Sequence, residues 1–357
     1  MVNRRLAGFL ILSLLSIGAV GVILHYVGFD KTVTALGEAG VRAILGIICV
    51  SLLWLMFQTL AWDRLSRPVG HRVPLRTLFG GIFVGFVGSY LTPSMYVGGE
   101  PLRVAYVGHK RHLPYYQVAG TVLLAKYLEF IAFVLLVCGG TVVALVYYWD
   151  ALADPAFSWV RGAMGFGAAV LLSVLVLLIV ALRGRHHPIN AVVRWLIRRG
   201  LFARFLRRRR QRIRQMEDQI ARTFNREGAS AWAAFGLLCA GMGMIFLRPL
   251  VFFYFLKDES TIFTFPELCL IFTMTQFVVA IQVTPGSLGS YEAGTIGIFA
   301  ILERGDHLAL AYVMGLRIAE GLLLLAGMVF AARQGIKIIS TDAAPKADPD
   351  DGTDGEQ

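Results

Sequence analysis

Long apolar runs limit what this chain can fold into more than any other feature of its sequence. A helix of about 20 apolar residues crosses the hydrocarbon core of a bilayer, and six runs reach that length. The first follows Arg4 and Arg5 without a small-residue cleavage site, so we interpret it as a retained helix rather than a signal peptide. The six predicted spans are Leu6–Val27, Val41–Trp62, Tyr115–Trp149, Ala163–Leu182, Trp232–Leu256 and Leu308–Ala332.

The composition excludes a soluble enzyme. Hydrophobic residues make up 57% of the chain and charged residues only 16%, whereas soluble domains average about 45–50% apolar and about 25% charged residues. A water-soluble globule has too little interior to bury this much apolar surface. The sequence therefore predicts an all-α integral membrane protein.

Two further apolar runs, 75–107 and 263–302, are interrupted by residues that break helices. Each run is long enough for two short helices with a break between them. Irregular backbone at membrane depth is tolerated only where protein or a watery cavity satisfies its polar groups. We therefore predict two re-entrant helical hairpins beside the six spans. The interruptions are Pro93 and Gly98-Gly99-Glu100 in the first run, and Pro285-Gly286 and Gly289 in the second.

The net charge of +11 is concentrated in one segment. Between Arg183 and Arg226 there are fourteen arginines and two acidic residues. Excess basic residues mark the cytoplasmic side of a membrane protein, and this rule places both termini in the cytoplasm. No nucleic-acid-binding motif accompanies the arginines, so we expect the loop to contact anionic lipid headgroups rather than nucleic acid.

The cysteines and histidines lack the spacing of a metal or redox site. Four cysteines stand singly inside apolar runs, and no H-E-x-x-H or phosphate-loop motif occurs. We predict neither a metal nor a cofactor.

An internal repeat joins the broken runs to the spans that follow them. Pro and Glu are seven residues apart in both breaks, at Pro93 and Glu100 and again at Pro285 and Glu292. A base-x-x-acid pair then follows in each half: Lys126 with Glu129, 26 residues beyond Glu100, and Arg317 with Glu320, 25 residues beyond Glu292. The repeated pattern predicts two homologous halves.

The predicted topology sets the relation between these halves. The first hairpin begins and ends in the cytoplasm and the second begins and ends outside, so the halves are predicted to be inverted repeats. The first repeat is assigned to residues 1–160 and the second to residues 161–335, which include the Arg-rich loop 183–228. Residues 336–357 are predicted to form a disordered acidic cytoplasmic tail.

The repeated charges allow two interpretations. A charge near the bilayer centre costs about 2.5–3.5 kcal/mol on insertion scales, so it needs a partner or a polar cavity. Residues three apart share a helix face, and the pairs therefore either clamp the helices together or line a polar path in which the base meets an anionic group. Arg248, before Pro249, is either a lone ligand or a snorkelling side chain. Arg103 is either a phosphate contact or a cytoplasmic surface anchor.

The glycines divide into two groups. Gly80, Gly81, Gly85 and Gly88 have the spacing of small residues at a helix–helix contact. Those in the two breaks suit a tight turn or a close approach to a ligand. Free backbone N–H groups at the start of each half-helix would there suit a phosphate headgroup.

Two segments resemble the signature regions of the lysylphosphatidylglycerol synthase transmembrane-region family, also called flippase-like. They are Thr92–Arg103, which contains Pro93 and Gly98-Gly99-Glu100, and the later Thr284–Glu292. The resemblance covers about Leu6 to Ala332. It implies a lipid translocase in a prokaryotic inner membrane, acting on phosphatidylglycerol derivatives or on hopanoid or polyprenyl-linked lipids. The best-known members also carry a soluble aminoacyl-transferase domain. This chain ends soon after its last span, so we do not expect it to make an aminoacyl lipid.

Repeat and resemblance together predict a flippase that moves an anionic or polar-headgroup lipid through a cavity between the repeats. The alternative is an intramembrane lipid-modifying transferase with Glu100 or Glu292 as general base. The predicted substrate-binding residues are Pro93, Gly98, Gly99, Glu100, Arg103, Lys126, Glu129, Arg248, Pro285, Gly286, Gly289, Glu292, Arg317 and Glu320.

Overall fold

A computed structural model describes residues 29–67, 73–91, 98–155, 157–183, 228–256, 262–280 and 287–334. The predicted first span, almost all of the Arg-rich loop and the acidic tail lie outside these residues. Within them the chain forms nine α-helices and a short 3₁₀ turn, Ala151–Ala153. The helices are α1 (Phe29–Ser66), α2 (Leu75–Leu91), α3 (Glu100–Arg111), α4 (Tyr115–Tyr147), α5 (Ser158–Arg183), α6 (Gly228–Tyr254), α7 (Phe265–Ala280), α8 (Ser290–Ile301) and α9 (Asp306–Arg333).

Five of these helices, α1, α4, α5, α6 and α9, are long and apolar enough to cross a membrane. They confirm the second to sixth predicted spans. Helix α1 begins twelve residues before the predicted Val41, and its backbone kinks at Gly40, which adopts φ 64°. Only glycine takes this left-handed conformation at little cost, so the predicted span corresponds to the part of α1 after the kink. Helix α4 has 33 residues and is therefore about 50 Å long.

Each broken run forms two short helices, as predicted. Helices α2 and α3 pack antiparallel, and the glycines of α2 face α3. A Cβ atom added at Gly80 would lie 2.6 Å from the Tyr106 hydroxyl, and one at Gly88 would lie 2.5 Å from Leu102 Cδ1. The small-residue packing predicted for α2 is thus confirmed. Helices α7 and α8 form the second hairpin, in which Gly294 lies against Val278.

The order of elements repeats along the chain. A long helix, two short hairpin helices and a second long helix occur as α1–α4 and again as α6–α9. Helices α1 and α6 pack along each other. Helix α4 packs against α7, and α9 packs against α2. The last helix of each set therefore lies against the hairpin of the other set.

Candidate functional site

Lys126 joins the first hairpin to the long helix that follows it. Its Nζ lies 3.2 Å from Glu100 Oε1 and 2.9 Å from Glu129 Oε2. Glu100 begins α3, whereas Lys126 and Glu129 lie one turn apart on α4. Both carboxylates are almost buried. One ammonium group thus neutralises acids from two helices.

Two further side chains complete this group. Gln58 on α1 donates a hydrogen bond from Nε2 to Glu129 Oε1 at 2.9 Å. Arg103 donates one from its terminal nitrogen to Gln58 Oε1 at 3.3 Å. Arg103 is only 6% exposed, so the interpretation of this residue as a surface anchor is wrong. We call Gln58, Glu100, Arg103, Lys126 and Glu129 the first cluster.

Arg317 occupies the matching place in the second set of helices. Its Nε lies 2.9 Å from Glu292 Oε1, and its terminal nitrogen lies 3.8 Å from Glu320 Oε2. Glu292 is on α8 and has a fully buried side chain. Arg317 thus bridges the acid of its hairpin and the acid three residues after itself on the same helix. Lys126 does the same in the first cluster.

Arg248 on α6 belongs to the same group. Its terminal nitrogen lies 3.2 Å from Glu320 Oε1, and its guanidinium lies 5.8 Å from the centre of the Trp54 ring. It is buried and paired with Glu320, so its side chain neither stands alone nor snorkels towards the interface. Gln58 makes the corresponding contact to Glu129 in the first cluster. We call Arg248, Glu292, Arg317 and Glu320 the second cluster.

Each cluster contains two cationic and two anionic side chains. The second cation comes from a different element in the two sets. Arg103 on α3 supplies it in the first cluster, and Arg248 on α6 supplies it in the second. The position three residues after Glu292, which matches Arg103, holds the buried Thr295. The two clusters therefore have the same charge balance, although non-equivalent helices supply the second cation.

The hairpin glycines serve packing and backbone geometry. The N–H of Gly99 donates to Ser89 Oγ at 3.0 Å, and a Cβ atom at Gly99 would lie 1.8 Å from the Gly85 carbonyl oxygen. Gly289 has φ 85°, and its N–H donates to Glu292 Oε2 at 2.7 Å. Protein atoms therefore occupy these two N–H groups, and the prediction of a phosphate site would depend on the other N–H groups of the first turns. Gly98 lies partly buried in the turn before α3, and Pro93, Pro285 and Gly286 lie outside the described residues.

Three hydrogen-bond partners of the clusters, among the residues that the structure describes, were missed from the sequence. Gln58 is one of them, and a glutamine within an apolar span is a signal that could have identified it. The other two contact Arg317, which donates to the Tyr90 hydroxyl at 3.4 Å and to the Ser287 carbonyl oxygen at 3.4 Å. A tyrosine at the end of a hairpin helix and a backbone carbonyl give no such signal.

Known proteins resemble this chain over most of its length. The family described as "Lysylphosphatidylglycerol synthase TM region" matches residues 6–327. A UPF0104 membrane protein of Methanothermobacter thermautotrophicus is 22% identical over 289 residues, which cover 79% of this chain and 82% of the relative. UPF0104 membrane protein PH1989 of Pyrococcus horikoshii is 21% identical over 316 residues, which cover 85% of this chain and 90% of that protein. The chain therefore belongs to the family of the lysylphosphatidylglycerol synthase transmembrane region.

Proposed function

We propose that this protein is a lipid translocase, which moves an anionic or polar-headgroup lipid between leaflets while the acyl chains stay in the bilayer. One observation carries the proposal: each set of helices places a buried, charge-balanced cluster between its hairpin and its last long helix. Charged side chains within a membrane segment are costly and usually mark a polar path. A headgroup needs such a path.

The repeated order of helices supports a transport cycle. We infer that α1–α4 and α6–α9 are inverted relative to each other in the membrane, within repeats at residues 1–160 and 161–335. Inverted halves can exchange conformations and so expose a central site to each side in turn. The contacts of α4 with α7 and of α9 with α2 would couple the two hairpins during that exchange.

The proposed setting is a prokaryotic inner membrane with both termini in the cytoplasm. The Arg-rich loop then faces the anionic cytoplasmic leaflet, where juxtamembrane basic residues bind acidic headgroups. The cargo that we propose from the resemblance to this family is a phosphatidylglycerol derivative, a hopanoid or a polyprenyl-linked lipid.

A lipid-modifying transferase is the second candidate, and Glu100 is the residue that favours it. Glu100 has an ion pair with Lys126, but neither of its oxygens has a hydrogen-bond partner among the residues that the structure describes, so this group retains lone pairs that a general base uses. Glu292 differs, because Arg317 binds its Oε1 and the Gly289 N–H binds its Oε2. Of the two glutamates that the sequence offers as a general base, Glu100 fits better.

Reconstitution separates the two functions. The purified chain is placed in liposomes made from the lipid extract of the source membrane, with a trace of acyl-labelled phosphatidylglycerol. Accessibility of the label to an external quencher measures translocation, and mass spectrometry of the recovered lipids measures modification. A translocase exposes the inner-leaflet label and leaves every lipid mass unchanged. A new lipid mass that depends on the protein would instead establish the transferase.

A further inference from the structure

The two clusters are equal in charge but differ in how fully their polar atoms are bonded. In the second cluster, Glu292 accepts a hydrogen bond at each oxygen, and Arg317 also contacts Tyr90, Ser287 and Glu320. Arg248 Nε is the one fully buried side-chain nitrogen or oxygen of this cluster without a hydrogen-bond partner among the described residues. The Glu292 side chain has no exposed surface. A group bonded in this way holds helices in register, and each of its carboxylate oxygens already accepts a hydrogen bond from the protein.

The first cluster has three such atoms without partners in the described part of the chain. Lys126 Nζ lies close to Glu100 Oε1, yet both Glu100 oxygens and Arg103 Nε lack a hydrogen-bond partner among the described residues. Glu100 and Arg103 are at least nine-tenths buried. The Lys126 side chain is 23% exposed, compared with 15% for Arg317. Buried polar atoms without partners are costly, and the site therefore has capacity to bind a polar group.

A small cavity lies within the first cluster. Gln58, Arg103 and Glu129 line it together with the Trp62 ring and aliphatic side chains of α2, α4 and α6. It has room for a group of about the size of one water molecule. A hydroxyl group both donates and accepts hydrogen bonds at a single atom. It can therefore donate to Glu129 and accept from Gln58 or Arg103 within this space.

The charge balance limits what enters with that hydroxyl group. Glu100 and Glu129 are matched by Arg103 and Lys126, so the first cluster has no excess charge of either sign. A charged headgroup would lose its hydration without finding an unpaired counter-ion, and such desolvation is unfavourable in a low-dielectric site. An uncharged headgroup that carries hydroxyl groups avoids this cost.

We infer that the first cluster is the headgroup subsite, that it takes an uncharged, hydroxyl-bearing headgroup, and that the second cluster positions the helices without touching the lipid. This inference rests on the proposed function and narrows its substrate class. Gln58 is the residue that sets the headgroup preference, because it bonds Glu129 and Arg103 and lines the cavity.

The test compares three lipid probes in the same proteoliposomes. A glucosyl-diacylglycerol, a phosphatidylglycerol and a phosphatidylethanolamine carry an identical label on one acyl chain, and their rates of translocation are measured separately with the full chain. We expect the glucosyl lipid to move about tenfold faster than either probe with charged groups in its headgroup, the anionic phosphatidylglycerol or the zwitterionic phosphatidylethanolamine. A tenfold difference corresponds to about one satisfied hydrogen bond in a buried site. An equal or faster rate for a charged probe overturns the inference and leaves the translocase intact. Movement of no probe contradicts the proposed function itself.

Variants locate the preference within the chain. Gln58→Leu should reduce the rate ratio of the glucosyl lipid to phosphatidylglycerol to about one, through the loss of that hydrogen bond. Arg317→Lys should slow all three probes and leave the rate ratio unchanged. The control is Arg161→Gln, on α5 beside Trp149, which should change neither the rates nor their ratio. The placement of the headgroup subsite in the first cluster is overturned if Gln58→Leu leaves the rate ratio unchanged. It is also overturned if Arg317→Lys reduces the ratio to one. The three-probe comparison on the unmodified chain decides the headgroup class even if Gln58→Leu does not fold.

Discussion

Arg317 of the last long helix donates a hydrogen bond to the Tyr90 hydroxyl, which lies at the end of the first hairpin helix, 3.4 Å away. The bond connects the two sets of helices at the second cluster. Arg317 also binds Glu292 and the Ser287 carbonyl oxygen. One planar guanidinium therefore holds three parts of the fold.

Substitution of Arg317 should separate the effect of its charge from that of its shape. Arg317→Ala leaves the fully buried Glu292 without its cation, and we expect it to lower the free energy of unfolding by about 3–5 kcal/mol. Arg317→Lys keeps a point charge but loses the planar fork, so its cost should be smaller, about 1–2 kcal/mol. Equilibrium unfolding in mixed micelles measures both, and equal losses would contradict this assignment.

Lys126 should show a different dependence because it neutralises two acids. Lys126→Met leaves Glu100 and Glu129 without their shared cation, and we expect a loss of about 3 kcal/mol in stability. Lys126→Met with Glu100→Gln should recover most of that loss, because Glu129 then keeps its bond from Gln58. A double variant that removes Lys126 and Glu129 is a poorer test, because Glu100 then stays charged without its cation. A double variant less stable than the single one would show that Glu100 does not depend on Lys126.

Gly99 should not tolerate a side chain. Its Cβ atom would lie 1.8 Å from the Gly85 carbonyl oxygen, so Gly99→Ala must separate α2 from α3, and we expect a loss of at least about 3 kcal/mol. Gly139→Ala on α4 is the matched control, because a Cβ atom there meets no neighbouring atom and alanine favours a helix over glycine by about 1 kcal/mol. Thermal unfolding in detergent compares the two variants. Similar melting temperatures would argue against the close hairpin packing.

Cysteine labelling tests whether the two sets are inverted. His109 and Asp306 are exposed residues near the open ends of the two hairpins. In a variant without native cysteines, His109→Cys should react with an impermeant maleimide only from the cytoplasm, and Asp306→Cys only from outside. Reaction of both from the same side would contradict inverted repeats.

Hydropathy and helix breakers were sufficient to predict the helices. The five described spans and the two hairpins follow from the cost of exposed backbone in lipid, and the ion pairs within α4 and α9 follow from the spacing of residues on one helix face. These features depend on neighbours close in sequence. The break at Gly40 was missed, because one glycine in a polar stretch carries no such constraint.

The partners between helices could not be predicted in the same way. Arg248 and Glu320 are 72 residues apart, and Gln58 and Glu129 are 71 residues apart. No local pattern links residues at these separations, since the packing of α1 against α4 and of α6 against α9 determines which side chains meet. Arg103 shows the same limit: its burial depends on the packing of α3 against Gly85 of α2, which no local sequence pattern predicts.

The most direct test of the account is translocation by a variant that folds but lacks part of the first cluster. The Lys126→Met, Glu100→Gln chain and the unmodified chain are reconstituted at equal density, and exposure of an inner-leaflet lipid probe to an external quencher is followed over time. A translocase whose lipid binds at the first cluster predicts rapid exposure with the unmodified chain. It also predicts a rate at the protein-free background with the folded variant. Lipid movement at the full rate by that variant would contradict the account.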